Sequence, residues 1–227
     1  PPSGPIGNDS LSMRTAWQDI DGSSKDMSSP LSLIISAFAP AADVRRTLTP
    51  ELRTDQGQTL LLLIDLGRKQ NRLGGSALAQ THKQIGDLAP DLDNPADLKA
   101  FFSVIQTLNA ENLALAYHDR SDGGLLATVC EMAFAGNTGV DLDIHALGPD
   151  PLAGLFSEEL GAIVQIRAAD SPAVAQHIDK AGLSACSYLI GQPNDEARLN
   201  IHASSTPLFS ERLISLKKAW WETGYRL

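Results

Sequence analysis

The sequence predicts an α/β domain with a mixed sheet covered by helices. Three observations carry that prediction. Strand-like and helix-like segments alternate from about residue 31 to the end. Several helical segments are long enough to cross between strands. Thr59-Leu60-Leu61-Leu62-Leu63-Ile64-Asp65 is almost continuously apolar, which suits a central strand covered on both faces.

Residues 1–30 stand apart. They are rich in Ser, Gly, Asp and Pro, with little periodicity, and read as the tail of a preceding subdomain or an edge of the chain. Within them LSMRTAW (11–17) fits a short strand, and DIDGSSKDMSSP (19–30) fits an exposed loop. The main α/β subdomain is expected over 31–206. It opens with a β-branched, apolar strand at 31–38, followed by turn-rich sequence from Ala39 to Pro50. After the run at 59–65 comes the basic loop Arg68-Lys69-Gln70-Asn71-Arg72, then Leu73-Gly74-Gly75-Ser76 and a helix from Ala77. Ser76 is placed to cap that helix.

Asn94-Pro95 signals the next helix start. Leu98, Phe101, Phe102, Ile105 and Leu108 follow at helical spacing. A short strand at 113–117 leads into HDRSDGG, and a helix runs from about 124 until Gly136-Asn137-Thr138-Gly139 stops it. Val140 to Ile144 alternates apolar and polar residues, as a half-exposed strand does. A short helix at 152–156, a strand at 161–166, a helix at 171–181 and strand-like segments at 188–191 and 198–202 follow. Residues 207–227 read as a terminal helix packed on the domain, with Leu213, Leu216, Trp220 and Trp221 as its anchors.

Composition excludes several classes of function. A net charge of −9 argues against a nucleic-acid surface, which needs clustered Lys and Arg. Phosphate ligands stay compatible, because backbone N–H groups and bound metal hold them without net basicity. The two cysteines, Cys130 and Cys186, form no zinc-type cluster and fit a reducing, cytoplasmic setting. No basic-then-apolar leader opens the sequence, and no apolar run approaches bilayer-spanning length.

HDRSDGG (118–124) is the richest candidate site. It lies where a strand's carboxyl end meets a helix start, an edge that ligands favour in α/β sheets. Asp119 and Asp122 are hard oxygen ligands suited to Mg²⁺. Ser121 is a possible donor to phosphate oxygen, and Gly123 and Gly124 would allow close backbone approach. Against this, Ser121 or Asp122 would make a good N-cap, and the glycines could serve the turn alone. The loop at 66–76 is a second glycine-bearing junction, and Arg68, Lys69 and Arg72 would add anion attraction. It lacks the P-loop pattern. Glu158-Glu159 reads most simply as a solvated turn. No G-x-S-x-G elbow accompanies His118-Asp119, and His82, His145, His177 and His202 are scattered.

YHDRSDGGLLATVCEMAFAGNTGVDLDI (117–144) resembles a stretch of the phosphoribosylformylglycinamidine synthases in their large single-chain form. GNDSLSM (7–13), SSPLSLIISAFAPAADVRRTLTP (28–50), LLLIDLG with LGGSALAQ (61–80), FSEELGAIVQIRA (156–168) and the closing FSERL and AWWETGYRL resemble the same family in the same order. The resemblance implies the carboxyl-terminal subdomain of the second synthase half, with an aminoimidazole-ribonucleotide-synthetase-like fold. Its reaction would be the ATP-dependent, glutamine-using conversion of formylglycinamide ribonucleotide to the amidine in purine biosynthesis. It implies a magnesium nucleotide (ATP or ADP) held in a structural role, with Asp119 on a metal ligand and Ser121 on a nucleotide contact. Partners would be the first synthase half and the glutaminase domain, with small-molecule substrates and neither nucleic acid nor membrane. Asn8 departs from the family's G-K-D-S-M-S-M element, where a lysine stands. Two other readings are a non-catalytic nucleotide-binding or scaffolding module, and a stand-alone metal-dependent phosphatase or kinase using Asp119 and Asp122.

Overall fold

The computed structural model describes residues 6–10, 14–28, 32–41 and 43–226. They form two compact units, divided between Arg45 and Arg46 rather than after residue 30.

The amino-terminal unit holds two antiparallel strand pairs. β1 (Ile6–Ser10) pairs with β4 (Ser32–Ser36), and β2 (Arg14–Gln18) pairs with β3 (Ser24–Ser28). The second pair corrects the expectation of an exposed loop over 19–30. Its turn is closed by the amide of Gly22, whose φ is +79°, donating to the carbonyl of Asp19. An ion pair between Arg14 and Asp26 ties the two strands across the hairpin. Every residue of β2 and β3 is exposed, so no alternation betrayed the second strand. Residues 11–13 of the expected strand at 11–17, and Leu31, lie outside the described residues.

The larger unit contains β5 (Thr59–Asp65), α1 (Ala77–Thr81), α2 (Pro95–Ala110), β6 (Ala114–Asp119), α3 (Gly124–Gly136), β7 (Gly139–Asp143), α4 (Pro151–Phe156), β8 (Gly161–Arg167), α5 (Ser171–Lys180), β9 (Ser187–Asn194), β10 (Arg198–Ala203), β11 (Thr206–Arg212) and α6 (Leu213–Arg226). One mixed sheet runs in the order β11-β10-β7-β9-β5-β8-β6. β5 and β6 both pair antiparallel with β8, so they run parallel to each other. Their carboxyl ends therefore meet the start of β8 at one edge, where Asp65 faces Gly161 and Asp119 faces Ala162.

β5 is central and nearly all buried, as its apolar run predicts. Strand alternation sends Leu61 and Leu63 to a core under α3, α4 and α6, and Leu62 and Ile64 to a core under α2 and α5. Each such fully buried aliphatic side chain contributes about 1.5–3 kcal/mol. The terminal segment is a correction. Residues 206–212 form an edge strand, antiparallel to β10, before α6 begins. Leu213 and the partly buried Leu216 anchor α6. Trp220 leans on Phe134 at 5.9 Å between ring centroids, but both tryptophans are largely exposed. In α2 the buried stripe is Val104, Ile105 and Leu108 with Phe101 beside it, while Phe102 faces water. Asn94 caps this helix and Ser76 caps α1, as expected. Among the described residues no helix is long and apolar enough to cross a membrane.

Cys130 is half-buried rather than fully buried, and Cys186 is buried; both are free. Burial also pushes the Tyr117 phenol up to about 12, with the nearby Asp119 charge adding to the effect. The fold favours the neutral phenol, whereas an unfolded tyrosine ionises near pH 10. Stability from this group is fully present below about pH 10 and is lost as pH rises through about 12. Tyr117→Phe should therefore flatten the fall of the urea midpoint across that window. An unchanged alkaline slope would show that Tyr117 does not carry it.

Candidate functional site at the edge where two parallel strands end

Asp65 ends β5 with its side chain 1% exposed. One carboxylate oxygen accepts from Arg120 Nη2 at 2.5 Å, and the other accepts from the backbone N–H of Lys69 at 2.8 Å. Arg120 is buried and reaches two more acceptors, donating from Nε to the carbonyl of Glu159 at 2.6 Å and from Nη2 to the carbonyl of Leu160 at 3.2 Å. The inward direction continues the face of β6 that carries the buried Ala116, beyond a bulge that turns Ala114 toward the other core.

Asp119 and Ser121 flank this buried arginine and face outward. The Asp119 side chain is 67% exposed, and His118 Nδ1 lies 3.9 Å from one of its oxygens. The His118 ring is engaged elsewhere, with Nδ1 2.9 Å from the Asp119 carbonyl and Nε2 2.9 Å from the Glu131 carboxylate. Ser121 and Asp122 are exposed. Neither caps α3, which corrects the cap reading: Gly123 sits at the N-cap in the left-handed region with no side-chain cap hydrogen bond.

The acceptor at that helix start comes from a distant segment. Oε1 of Glu158 accepts from the N–H of Gly123 and from the N–H of Ala77, both at 2.8 Å. One carboxylate thus closes both glycine-bearing junctions. Its neighbour Glu159 is fully buried and accepts from Arg72 N at 3.0 Å, Nε at 2.8 Å and Nη2 at 2.7 Å. The expected solvated turn at Glu158-Glu159 is therefore an internal tie. The signal available was the pair of junctions themselves, whose free N–H groups need an acceptor.

Two further expectations change. Arg72 is taken up inside the fold by Glu159 with Asp93, while Arg68, its side chain 42% exposed, pairs at the surface with Asp97. Lys69 is exposed, with Nζ 4.8 Å above the Tyr188 ring. Gly124, at φ +67°, packs where a Cβ would lie 2.7 Å from the backbone of Phe156 and Ser157, and its N–H donates to the Ser121 carbonyl. Both glycines, at φ +82° and +67°, are used by this turn and its packing.

The residues present fit a metal as contributors to a shared site. Mg²⁺ keeps several waters and takes one or two carboxylates plus phosphate oxygens. Asp119 is an exposed carboxylate of that kind, and Ser121 is an exposed hydroxyl two residues on. Among the described residues no group of three or more His, Cys, Asp and Glu side chains is placed to hold a metal ion. Cavities of about 180, 360 and 330 Å³ occur elsewhere, around α5 and β9, and include neither Asp119 nor Ser121.

Residues 55–204 match the family model described as AIR synthase related protein, C-terminal domain. The chain belongs to that family. Residues 3–40 match a second model, the FGAR-AT PurM_N-like domain. Among solved structures, PurL of Thermotoga maritima complexed with ATP is similar to the chain at 14% identity and a TM-score of 0.58, covering 82% of this chain. The same protein complexed with FGAR gives 13% identity, a TM-score of 0.59 and 82% coverage. HypE of E. coli, a hydrogenase maturation protein, gives 16% identity and a TM-score of 0.51 over 73% of this chain. At these identities the likeness is one of fold. The chain spans 29% and 31% of the two PurL chains and 51% of the HypE chain.

Proposed function

We propose that this AIR synthase-related domain is part of a glutamine-using, ATP-dependent ligase of the phosphoribosylformylglycinamidine synthase type, acting in the cytoplasm. In this reading the edge at HDRSDGG contributes Asp119 to Mg²⁺ and Ser121 to the phosphates of ATP or ADP. The observation that carries it is the alternation at 119–121. Two polar groups whose side chains make no hydrogen bond among the described residues point outward on either side of a buried arginine that holds their loop.

Such groups suit a ligand or a neighbouring domain. The remaining metal ligands would come from the first synthase half or other domains of the enzyme, and a glutaminase domain would supply ammonia. When bound, the ion would neutralise phosphate charge. Asp119 would hold it, and Ser121 would orient a phosphate oxygen. That no group of three or more His, Cys, Asp and Glu side chains among the described residues is placed to hold a metal ion favours a structural, nucleotide-retaining role over a stand-alone phosphatase or kinase.

Two results are expected. The 227-residue chain, given ATP, ammonia and formylglycinamide ribonucleotide, forms no amidine; measurable product would sink the fragment reading. In the complete enzyme, Asp119→Ala weakens Mg-nucleotide retention and lowers the melting temperature through lost ligand linkage. Equal nucleotide content and an equal melting temperature would remove Asp119 from the site.

A further inference from the structure

The geometry points to Arg120 as the positioning residue of the Asp119–Ser121 loop, an inference that rests on the nucleotide reading of that loop. A side chain that binds metal or phosphate must be held to within about half an ångström, by neighbours whose own conformations are locked. Asp119 and Ser121 receive no such support from their own side-chain hydrogen bonds. Arg120 supplies it between them. Its guanidinium joins three acceptors on two other segments: the Asp65 carboxylate at the end of β5, and the carbonyls of Glu159 and Leu160 before β8. Its backbone N–H donates to the Gly161 carbonyl at 2.8 Å.

Asp65 extends the same tie. Its second oxygen holds the N–H of Lys69, a non-glycine residue at φ +65° in a loop where Arg68 and Asn71 are also left-handed. One buried ion pair therefore sets both loops at this edge. Because Asp65 neutralises it and it is buried, Arg120 does not meet a phosphate itself. A planar fork is needed to reach all three acceptors, and a lysine ammonium is a point charge without that fork.

The test, made in the complete enzyme that supplies the remaining metal ligands, compares Arg120→Lys, Arg120→Met and the double variant Asp65→Leu with Arg120→Met against wild type. Replacing both members of a buried pair by apolar residues restores stability that the single change loses. A purely structural role predicts that Mg-ADP affinity recovers with stability. A positioning role predicts that calorimetric affinity stays about tenfold or more below wild type in the double variant and in Arg120→Lys, as for other residues that orient metal ligands. Recovery of affinity alongside stability would overturn the assignment.

Amide hydrogen exchange supplies an arm that needs no ligand. Exchange across Asp119–Gly124 should rise about tenfold or more in Arg120→Lys while β7 is unchanged, since local opening is governed by local ties. Equal exchange would overturn the positioning role even if nucleotide binds. A complete wild-type enzyme that holds no Mg-ADP would instead refute the nucleotide reading, and exchange alone would then decide whether Arg120 holds the loop.

Discussion

Gly161→Ala should cost about 3 kcal/mol or more of unfolding free energy and lower the urea midpoint accordingly. Gly161 opens β8 opposite Asp65, at φ +152°, a backbone region that residues with a side chain rarely adopt. A Cβ there would lie 2.1 Å from the carbonyl oxygen of Ile64 in the central strand. That oxygen belongs to a buried ladder and has no room to move. The clash would pry β8 from β5 at the point where Arg120 also hangs on the Gly161 carbonyl. Gly182→Ala provides the comparison. Its φ is +72°, but nothing lies within 4 Å of the added Cβ, so it should cost about 1 kcal/mol from backbone strain alone. Equal losses for the two variants would show that contact with Ile64 is not what requires a glycine at 161.

Glu159→Ala should lower stability by about 3 kcal/mol, the lower end of the range for breaking a buried ion pair. The carboxylate is fully buried, accepts three hydrogen bonds from Arg72, and packs against Gly67, where a Cβ would lie 2.5 Å from it. Its removal leaves the half-exposed Asp93 as the Arg72 side chain's remaining carboxylate partner, which is why the loss stays at the lower end. Combining Glu159→Leu with Arg72→Met should regain part of that loss, because neither charge then stays buried alone. If Glu159→Ala unfolds within about 0.5 kcal/mol of wild type, in the range of changes at exposed positions, the pair does not tie the 66–76 loop to β8.

Much of the architecture was legible because it rests on local periodicity. The apolar run of β5, the Asn94-Pro95 start of α2 and the stop at Gly136-Asn137 are each decided by neighbours in sequence, and the structure places them as read. β3 and β11 were not legible. β3 is exposed along its length, and β11 is an edge strand with no fully buried residue, so neither shows the alternation that a half-buried strand shows. Phe102 was misplaced because helical spacing alone does not say how the helix is rotated toward the sheet.

At the candidate site the division is sharper. The sequence by itself determined where the polar loop falls, between the end of a strand and the start of a helix, and offered Asp119, Ser121 and Asp122 as its candidate ligands. Only the tertiary structure decided what surrounds them. Arg120 turns inward to Asp65, Glu158 closes the two junctions, and Arg72 is buried against Glu159. Those choices depend on pairing β5, β6 and β8 at one edge. A carboxylate's partner is set by which distant N–H groups the sheet brings within hydrogen-bond reach, and no spacing along the chain encodes that distance.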